Sequence, residues 1–156
     1  MYNGVGGLNM LNEKGFNEWS GNYDDSILNS TGYPFEGYYQ LFGTIEKIVQ
    51  SEPHPKVLDL GIGTGTLSLQ LQKNGADITG VDFSENMLEI SKEKLGDIKL
   101  YHQDLTEGLP VALYDAIILI FSNIDTYIVH KNSFHNREFA VTNTSLCRVT
   151  LLEIKR

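Results

Sequence analysis

The chain has 156 residues, of which 41% are hydrophobic and 21% charged, a length and composition that suit one globular domain with its own core. Its formal net charge of −8 argues against electrostatic binding to nucleic acid or to an anionic membrane, and its longest apolar run, residues 116–121, is far shorter than the ~20 residues that span a bilayer. The single cysteine, Cys147, has no partner for an internal disulfide, which favours a reducing compartment, and we therefore expect a cytoplasmic protein.

The first recognisable pattern is FNEWSGNYDD, residues 16–25. Phe16 and Trp19 are three positions apart, which is the spacing of one helix face and predicts a short amphipathic helix. The Gly- and Asn-rich segment before it, residues 1–15, is expected to be a flexible N-terminus. Apolar and aromatic residues recur at helical spacing over residues 35–51 and predict a second helix, whose aromatic face we expect to pack on a sheet rather than to bind a ligand.

Residues 57–71, VLDLGIGTGTLSLQL, contain an apolar run, three alternating glycines and then an apolar-periodic segment. This order predicts a buried strand, a tight loop at Gly61, Gly63 and Gly65, and a helix. Glycines allow the loop to turn sharply and to approach a ligand, and the free N–H groups at the helix N-terminus point to the same place. Thr66 stands where a dinucleotide fingerprint has its third glycine, and the Gly-Lys-Ser/Thr of a Walker loop is absent.

Helices and strands alternate after the glycines. The predicted elements are a helix from Thr66 to a stop at Asn74-Gly75, a strand over 77–82, a helix over 85–95 capped by Ser84 and closed by Gly96, a strand over 98–102, and a strand over 115–121. The last of these is apolar throughout and should be central. The pattern predicts an α/β fold with a Rossmann-like, doubly wound, mostly parallel sheet.

Two aspartates follow strands of this predicted sheet, so they should lie at the same edge as Gly61. Asp82 ends the second strand, where a carboxylate can accept hydrogen bonds from ribose hydroxyls and would disfavour a 2′-phosphate. Asp104 lies just past the third strand, where it could accept from the amine of an adenine. The alternatives are a helix cap or turn for Asp82 and a plain loop acid for Asp104, but the combination with the glycine loop favours an adenosine-containing ligand.

Four segments resemble motifs I to IV of the class I S-adenosylmethionine-dependent methyltransferases, in particular the small bacterial methyltransferase-domain group. They are residues 57–71, 78–95, 98–110 and 114–121. FNEWSGNYDD and YPFEGYYQ also resemble the N-terminal helices that cover the cofactor in that family. The resemblance covers residues 16–121, which we expect to be the cofactor-binding domain, and it implies S-adenosylmethionine as the cofactor.

The resemblance also implies which residues contact the cofactor. They are Gly61, Gly63 and Gly65 against the methionine part, Asp82 on the ribose, Phe83 on the adenine face, Asp104 and Leu105 beside the adenine, Asp59 near the ammonium group through water, and Tyr23 closing over the site. Methyl transfer is an in-line displacement that depends mainly on proximity, and a general base is needed only when the acceptor holds a proton.

No catalytic residue is predicted. His102 is expected to be a surface residue at a strand end, and the spacing of His130 and His135 supports neither a base nor a metal site.

Residues 120–123 differ from the Asn/Asp-Pro-Pro-Tyr of amino-group methyltransferases. Together with the acidic charge, this favours a small-molecule methyl acceptor over nucleic acid or a membrane. The acceptor and the oligomeric state are not identifiable from the sequence.

Residues 122–156 differ in composition from the rest of the chain. All fifteen glycines and all four prolines precede residue 111, and the net charge changes from −10 over 1–121 to +2 over 122–156. The family's Pro-Gly-Gly turn and last hairpin are not recognisable, although residues 147–154 could form one strand. We therefore expect four or five strands and a sheet that is incomplete at its C-terminal edge.

Two explanations of residues 122–156 are open. The segment is either an altered or truncated continuation of a longer ancestor, which we favour, or a tail that covers the sheet edge in an unusual way or through a dimer.

The leading functional hypothesis is a methyltransferase. The alternatives are a catalytically impaired remnant that still binds S-adenosylmethionine and, less favoured because of Thr66, an NAD-binding oxidoreductase.

Overall fold

The computed structural model describes residues 13–28, 38–105, 110, 112–120, 125–130, 141–144 and 147–151. The helices are α1 (Glu13–Leu28), α2 (Tyr38–Val49), α3 (Thr66–Lys73) and α4 (Glu85–Leu95). The strands are β1 (Lys56–Leu60), β2 (Asp77–Asp82), β3 (Lys99–His102), β4 (Ala116–Ile120), β5 (Asp125–His130), β6 (Val141–Thr144) and β7 (Cys147–Leu151).

The strands form one sheet in the order β3-β2-β1-β4-β5-β7-β6. Strands β3, β2, β1 and β4 are parallel, with Leu60 opposite Val81 and Asp82 opposite His102. The apolar strand β4 is central, as predicted. Because the first four strands run in the same direction, their carboxyl ends meet at one edge, and the predicted Rossmann-like parallel sheet is confirmed.

The main core lies on one face of this parallel sheet. Alternate side chains of β1 and β4, such as Val57 and Ile118, point to that face and pack against α2, α3 and α4. The fully buried Ile45 and Val49 of α2 belong to it, so the expectation that this helix packs on the sheet is confirmed. The intervening residues of the strands, among them Leu58, form a smaller cluster on the other face.

The helix ends follow the signals in the sequence. Ser84 is the N-cap of α4, and its side chain accepts a 3.2 Å hydrogen bond from the amide of Met87. Gly96 ends the same helix with a φ of 72°, a conformation that favours glycine. Helix α3 ends at Lys73, and Asn74 is its C-cap.

Helix α1 is longer than predicted, since it begins at Glu13 and ends at Leu28. Residues 13–15 therefore belong to a helix rather than to a flexible N-terminus, because the apolar spacing marks only the packed part of a helix. Residues 1–12, and residues 35–37 of the predicted second helix, lie outside the described residues. No helix among the described residues is long and apolar enough to cross a bilayer.

The C-terminal strands correct one expectation. Strand β5 pairs antiparallel with β4, β7 pairs parallel with β5, and β6 pairs antiparallel with β7. The sheet thus has seven described strands, more than the four or five that the sequence led us to expect. Strands β5 to β7 contain β-branched residues that favour extended backbone, whereas the prediction relied on glycine and proline turn signals that this part of the chain does not use.

Candidate functional site

The loop between β1 and α3 is held against the end of β2. The carbonyl of Val81 accepts hydrogen bonds from the amides of Gly61 and Ile62, at 2.8 and 3.0 Å. The amide of Gly63 donates a 2.8 Å hydrogen bond to Asp82 Oδ2. The loop therefore has a defined position at the carboxyl edge of the sheet, where ligands bind in open α/β folds.

The three glycines of this loop, Gly61, Gly63 and Gly65, have left-handed backbone with φ between 56° and 77°, but their surroundings differ. A Cβ on Gly61 would meet nothing within 4 Å, so this residue faces open space. A Cβ on Gly65 would lie 2.5 Å from Ser91 Oγ and 2.7 Å from Leu95 Cδ1. Gly61 is thus the glycine that a ligand can approach, whereas Gly65 allows α3 to pack closely on α4.

Asp82 is buried, and both of its carboxylate oxygens accept backbone hydrogen bonds. Oδ2 accepts from Gly63, and Oδ1 accepts from the amide of Ser84 at 2.9 Å. Burial raises the pKa of the Asp82 carboxyl, and these backbone donors oppose the shift. An ionised carboxylate has about four acceptor positions, so Asp82 can still accept hydrogen bonds from a ligand.

Asp59 lies beneath the loop, near the end of β1, and is also buried. Its Oδ2 accepts a 2.6 Å hydrogen bond from Ser68 Oγ in α3. Burial raises the pKa of Asp59 to about 6; the Ser68 hydrogen bond opposes this shift, and the nearby Asp82 adds to it. A buried carboxyl group with this pKa beside a cavity is suited to pairing with a cationic group.

A cavity of about 40 Å³ separates the loop from the helices above it. Its lining residues are Tyr23, Tyr38, Phe42, Asp59, Gly61, Ile62, Thr64, Thr66, Leu67 and Ile120. The space suffices for on the order of three water molecules. The structure thus brings together three of the predicted site residues, Tyr23, Asp59 and Gly61, around one small, partly open cavity.

Helix α1 forms the outer wall of the site. Phe16 packs edge-on against Phe83 with ring centroids 5.2 Å apart, and Trp19 packs on Tyr23 with centroids 4.9 Å apart. The Tyr23 ring approaches Gly63, since Tyr23 Cε1 lies 3.6 Å from the position of a Cβ there. Burial, and next the neighbouring Tyr38, raise the pKa of the Tyr23 hydroxyl, which therefore remains protonated.

Asp24, the next residue of α1, contacts the start of α3 and helix α4. Its Oδ1 accepts hydrogen bonds from Thr64 Oγ1 at 2.5 Å and Thr66 Oγ1 at 2.8 Å, and its Oδ2 pairs with Lys94 Nζ. Burial raises the pKa of Asp24, but the hydrogen bonds from Lys94, Thr64 and Thr66 outweigh it and lower the pKa below its ordinary value. Asp24 is therefore ionised at neutral pH.

The predicted adenine-side residues lie farther along the sheet edge. Asp104 is exposed, and Leu105 packs against the smaller core cluster. The amide of Gln103 donates a 2.9 Å hydrogen bond to the carbonyl of Asp82, which ties the segment after β3 to the end of β2. His102 is exposed, as predicted, and its Nε2–H donates a 3.0 Å hydrogen bond to the carbonyl of Phe83.

The sequence prediction missed Asn17 and Asp24, the polar residues that attach α1 to the site. A signal was present, because FNEWSGNYDD contains two adjacent helical stripes. One is aromatic, with Phe16, Trp19 and Tyr23, and the other is polar, with Asn17 and Asp24. Among the residues that the structure describes, no group of three or more His, Cys, Asp and Glu side chains is placed to hold a metal ion.

A family model described as a methyltransferase domain matches residues 57–138, which is more than half of the 156 residues. An uncharacterised methyltransferase of Alkaliphilus oremlandii is 27% identical over 131 residues, which cover 81% of this chain and 57% of the relative. An uncharacterised methyltransferase of a Geobacillus species is 39% identical over 85 residues, which cover 53% of this chain and 38% of the relative. The chain spans about half the length of the curated relatives that it matches.

One solved structure supports the fold. It is a Methanococcus maripaludis protein assigned provisionally to the S-adenosyl-L-methionine-dependent methyltransferases. The superposition has a TM-score of 0.50 at 21% identity and covers 75% of this chain and 52% of that protein. The likeness agrees with the parallel sheet and its flanking helices described above.

Proposed function

We propose that this chain, which belongs to the methyltransferase-domain family, binds S-adenosylmethionine and transfers its methyl group to a small-molecule acceptor. The observation that carries the proposal is the partly open cavity beneath α1, where Gly61 has no neighbour at its Cβ position and Asp59 is one of the lining residues. This arrangement suits a small group that carries a cationic amine, as the methionine part of the cofactor does.

The position of each group along the sheet edge supports the residue roles that we propose. Gly61 lets the loop backbone approach the methionine part, and Asp59 accepts from the ammonium group through water. Asp82 accepts from the ribose hydroxyls with its remaining lone pairs, while it holds the loop through Gly63. Gly65 contributes indirectly, since it sets the position of α3.

The remaining roles concern the adenine and the cover of the site. Phe83 contacts the adenine face, Asp104 and Leu105 lie beside it, and Tyr23 closes over the methionine part. We further propose that residues 16–121 are the cofactor-binding domain and that 122–156 are an atypical C-terminal segment of the same domain. The lone cysteine and the net charge of −8 favour a cytoplasmic protein that acts on a small molecule.

When bound, S-adenosylmethionine supplies a methyl group on a positively charged sulfur that leaves readily. The protein then contributes alignment and the exclusion of water from the reacting atoms. The aromatic stripe of α1 supplies the exclusion, because Tyr23 covers the glycine loop and Trp19 packs on Tyr23. The carboxyls of Asp59 and Asp82 supply fixed negative charge near a cationic donor.

Calorimetric titration with S-adenosylhomocysteine tests cofactor binding. We expect saturable binding, and at a ligand concentration 100-fold above Kd the ligand should stabilise the fold by about 2.7 kcal/mol. A folded sample that binds NAD but not S-adenosylhomocysteine would favour the oxidoreductase alternative. A labelled-methyl assay over varied small acceptors then separates an active enzyme from a protein that only binds the cofactor.

A further inference from the structure

The contacts of helix α1 with the rest of the protein include two polar attachments, one near each end of its aromatic stripe. At the first, Asn17 Oδ1 accepts hydrogen bonds from Ser84 Oγ at 2.5 Å and from the amide of Asn86 at 3.3 Å. The side chain of Asn86 also donates to the carbonyl of Asn17 at 3.2 Å. These groups are neutral, and Phe16 packs against Phe83 beside them, so apolar burial supports this attachment.

The second attachment is Asp24, and it depends on charge. Its carboxylate holds the start of α3 through two threonine hydroxyls and holds α4 through Lys94. The side chains of Asp24 and Lys94 are 31% and 25% exposed, so water competes for both charges. Partly exposed ion pairs of this kind contribute little stability and exchange readily with water. The Asp24 attachment can therefore open at little cost.

The cavity that would receive the methionine part lies under the Asp24 end of the helix. Tyr23, adjacent to Asp24, is one of its walls, and Thr64 and Thr66 line it as well. A space for on the order of three water molecules is too small for an amino-acid-sized group. An outward movement of the Tyr23 side of α1 would enlarge this space for that part of a ligand.

We propose that Asp24 is the latch of a lid formed by α1, and that the Asn17 end is the fixed end about which the lid opens. This inference rests on the proposed function for the identity of the ligand. With the latch closed, Tyr23 covers the glycine loop and narrows the cavity. Breaking the Asp24–Lys94 pair frees the Tyr23 end, so Asp24 controls how fast the ligand enters and leaves without contacting the reacting atoms.

The test uses the protein's single tryptophan. Trp19 lies on α1 against Tyr23, so its fluorescence reports the position of the lid. Stopped-flow mixing with S-adenosylhomocysteine gives the association and dissociation rate constants for Asp24→Asn and Lys94→Gln. The matched controls are Asp25→Asn and Lys92→Gln, which remove the same charges from exposed neighbours.

We expect both latch variants to raise the association rate constant at least threefold and the dissociation rate constant by more, whereas the controls match the wild type. A double variant should show no further increase, because both changes break the same contact. A variant that raises neither rate constant, in a sample whose circular dichroism is native, overturns the latch. If Asp24→Asn fails to fold, Lys94→Gln decides the question alone.

A ligand-free measurement separates this inference from the proposed function. Amide hydrogen exchange over residues 21–25 should be faster in Asp24→Asn than in Asp25→Asn, while exchange over 16–20 is the same in both. Equal exchange over 21–25 overturns the latch. Absence of S-adenosylhomocysteine binding by the wild type overturns the proposed function, and the exchange comparison still decides whether Asp24 holds the lid.

Discussion

The amide of Gly63 donates a 2.8 Å hydrogen bond to Asp82 Oδ2 and thereby fixes the glycine loop to the end of β2. The other oxygen of the same carboxylate accepts from the amide of Ser84, the cap of α4. One buried aspartate thus organises the loop after the first strand and the turn after the second. The turn role and the ligand role that the sequence left as alternatives are compatible, because a carboxylate has more acceptor positions than these two bonds use.

Replacing Asp82 by Asn should reduce both stability and ligand binding. The single oxygen of Asn can accept from only one of the two amides, and its NH₂ group faces the other donor. We expect the free energy of unfolding to fall by about 1–3 kcal/mol. Binding of S-adenosylhomocysteine should weaken at least tenfold. Denaturant unfolding and calorimetry measure the two effects. Asp97→Asn, an exposed change of the same kind, should alter neither, and an equally stable Asp82→Asn would contradict the assigned hydrogen bonds.

Alanine at Gly61 and at Gly65 should have opposite main effects. Both residues have positive φ, so both substitutions share a strain of roughly 1–2 kcal/mol. Only Gly65→Ala adds a collision with Ser91 and Leu95, which should cost a further ~1–3 kcal/mol of unfolding free energy. Gly61→Ala should fold and lose affinity for S-adenosylhomocysteine, because its methyl group fills the open space. Equal stabilities of the two variants would show that Gly65 does not need its close approach to α4.

The parallel sheet and its helices were predictable because local signals and long-range packing agree there. The apolar run of β4 and the Ser84 and Gly96 caps each correspond to an observed element. The role of Gly65 was not predictable, since the three glycines of the loop look alike in sequence and only the packing of α3 on α4 distinguishes them.

Two other features could not be predicted from the sequence, each for a different reason. The contact of Asp24 with Lys94 joins residues seventy positions apart, and no local pattern connects them. Strands β5 to β7 lack the glycine and proline turns that usually delimit strands, so the compositional change at residue 122 indicated an incomplete sheet. Their pairing instead depends on the register of β5 with β4, of β7 with β5 and of β6 with β7, which is a property of the folded sheet.

Two fully buried serines should respond oppositely to alanine. Ser91 Oγ has no hydrogen-bond partner among the described residues, whereas Ser68 Oγ donates to Asp59 at 2.6 Å. We expect Ser91→Ala to leave stability unchanged or to raise it by up to about 1 kcal/mol, and Ser68→Ala to lower it by about 1–3 kcal/mol. Thermal and denaturant unfolding of the two variants measure this. A destabilised Ser91→Ala would mean that its hydroxyl has a partner.

Asp59 should make stability depend on pH in a defined direction. Its pKa is about 6 in the folded protein, compared with 3.8 for an unperturbed aspartate, so the folded state holds this proton more tightly than the unfolded chain does. The resulting stabilisation is complete below pH 3.8 and is lost as the pH rises to about 6. Relative to Asp59→Asn, the wild type should lose on the order of 1–3 kcal/mol between pH 4 and 7. Asp77→Asn, at the exposed start of β2, is the control and should leave the pH profile unchanged.

The same carboxyl should make ligand affinity rise with pH. Under the proposed function, the ammonium group of the ligand favours ionised Asp59. Below pH 6, binding therefore requires removal of the proton from the Asp59 carboxyl, and the free energy of this step weakens the affinity. Calorimetry from pH 5 to 7 should show affinity for S-adenosylhomocysteine rising by up to about tenfold per pH unit below the pKa and levelling above it. Asp59→Asn should bind more weakly at pH 7, with a flatter profile, whereas Asp77→Asn should follow the wild type. A wild-type affinity that is constant from pH 5 to 7 would place the ammonium group away from Asp59.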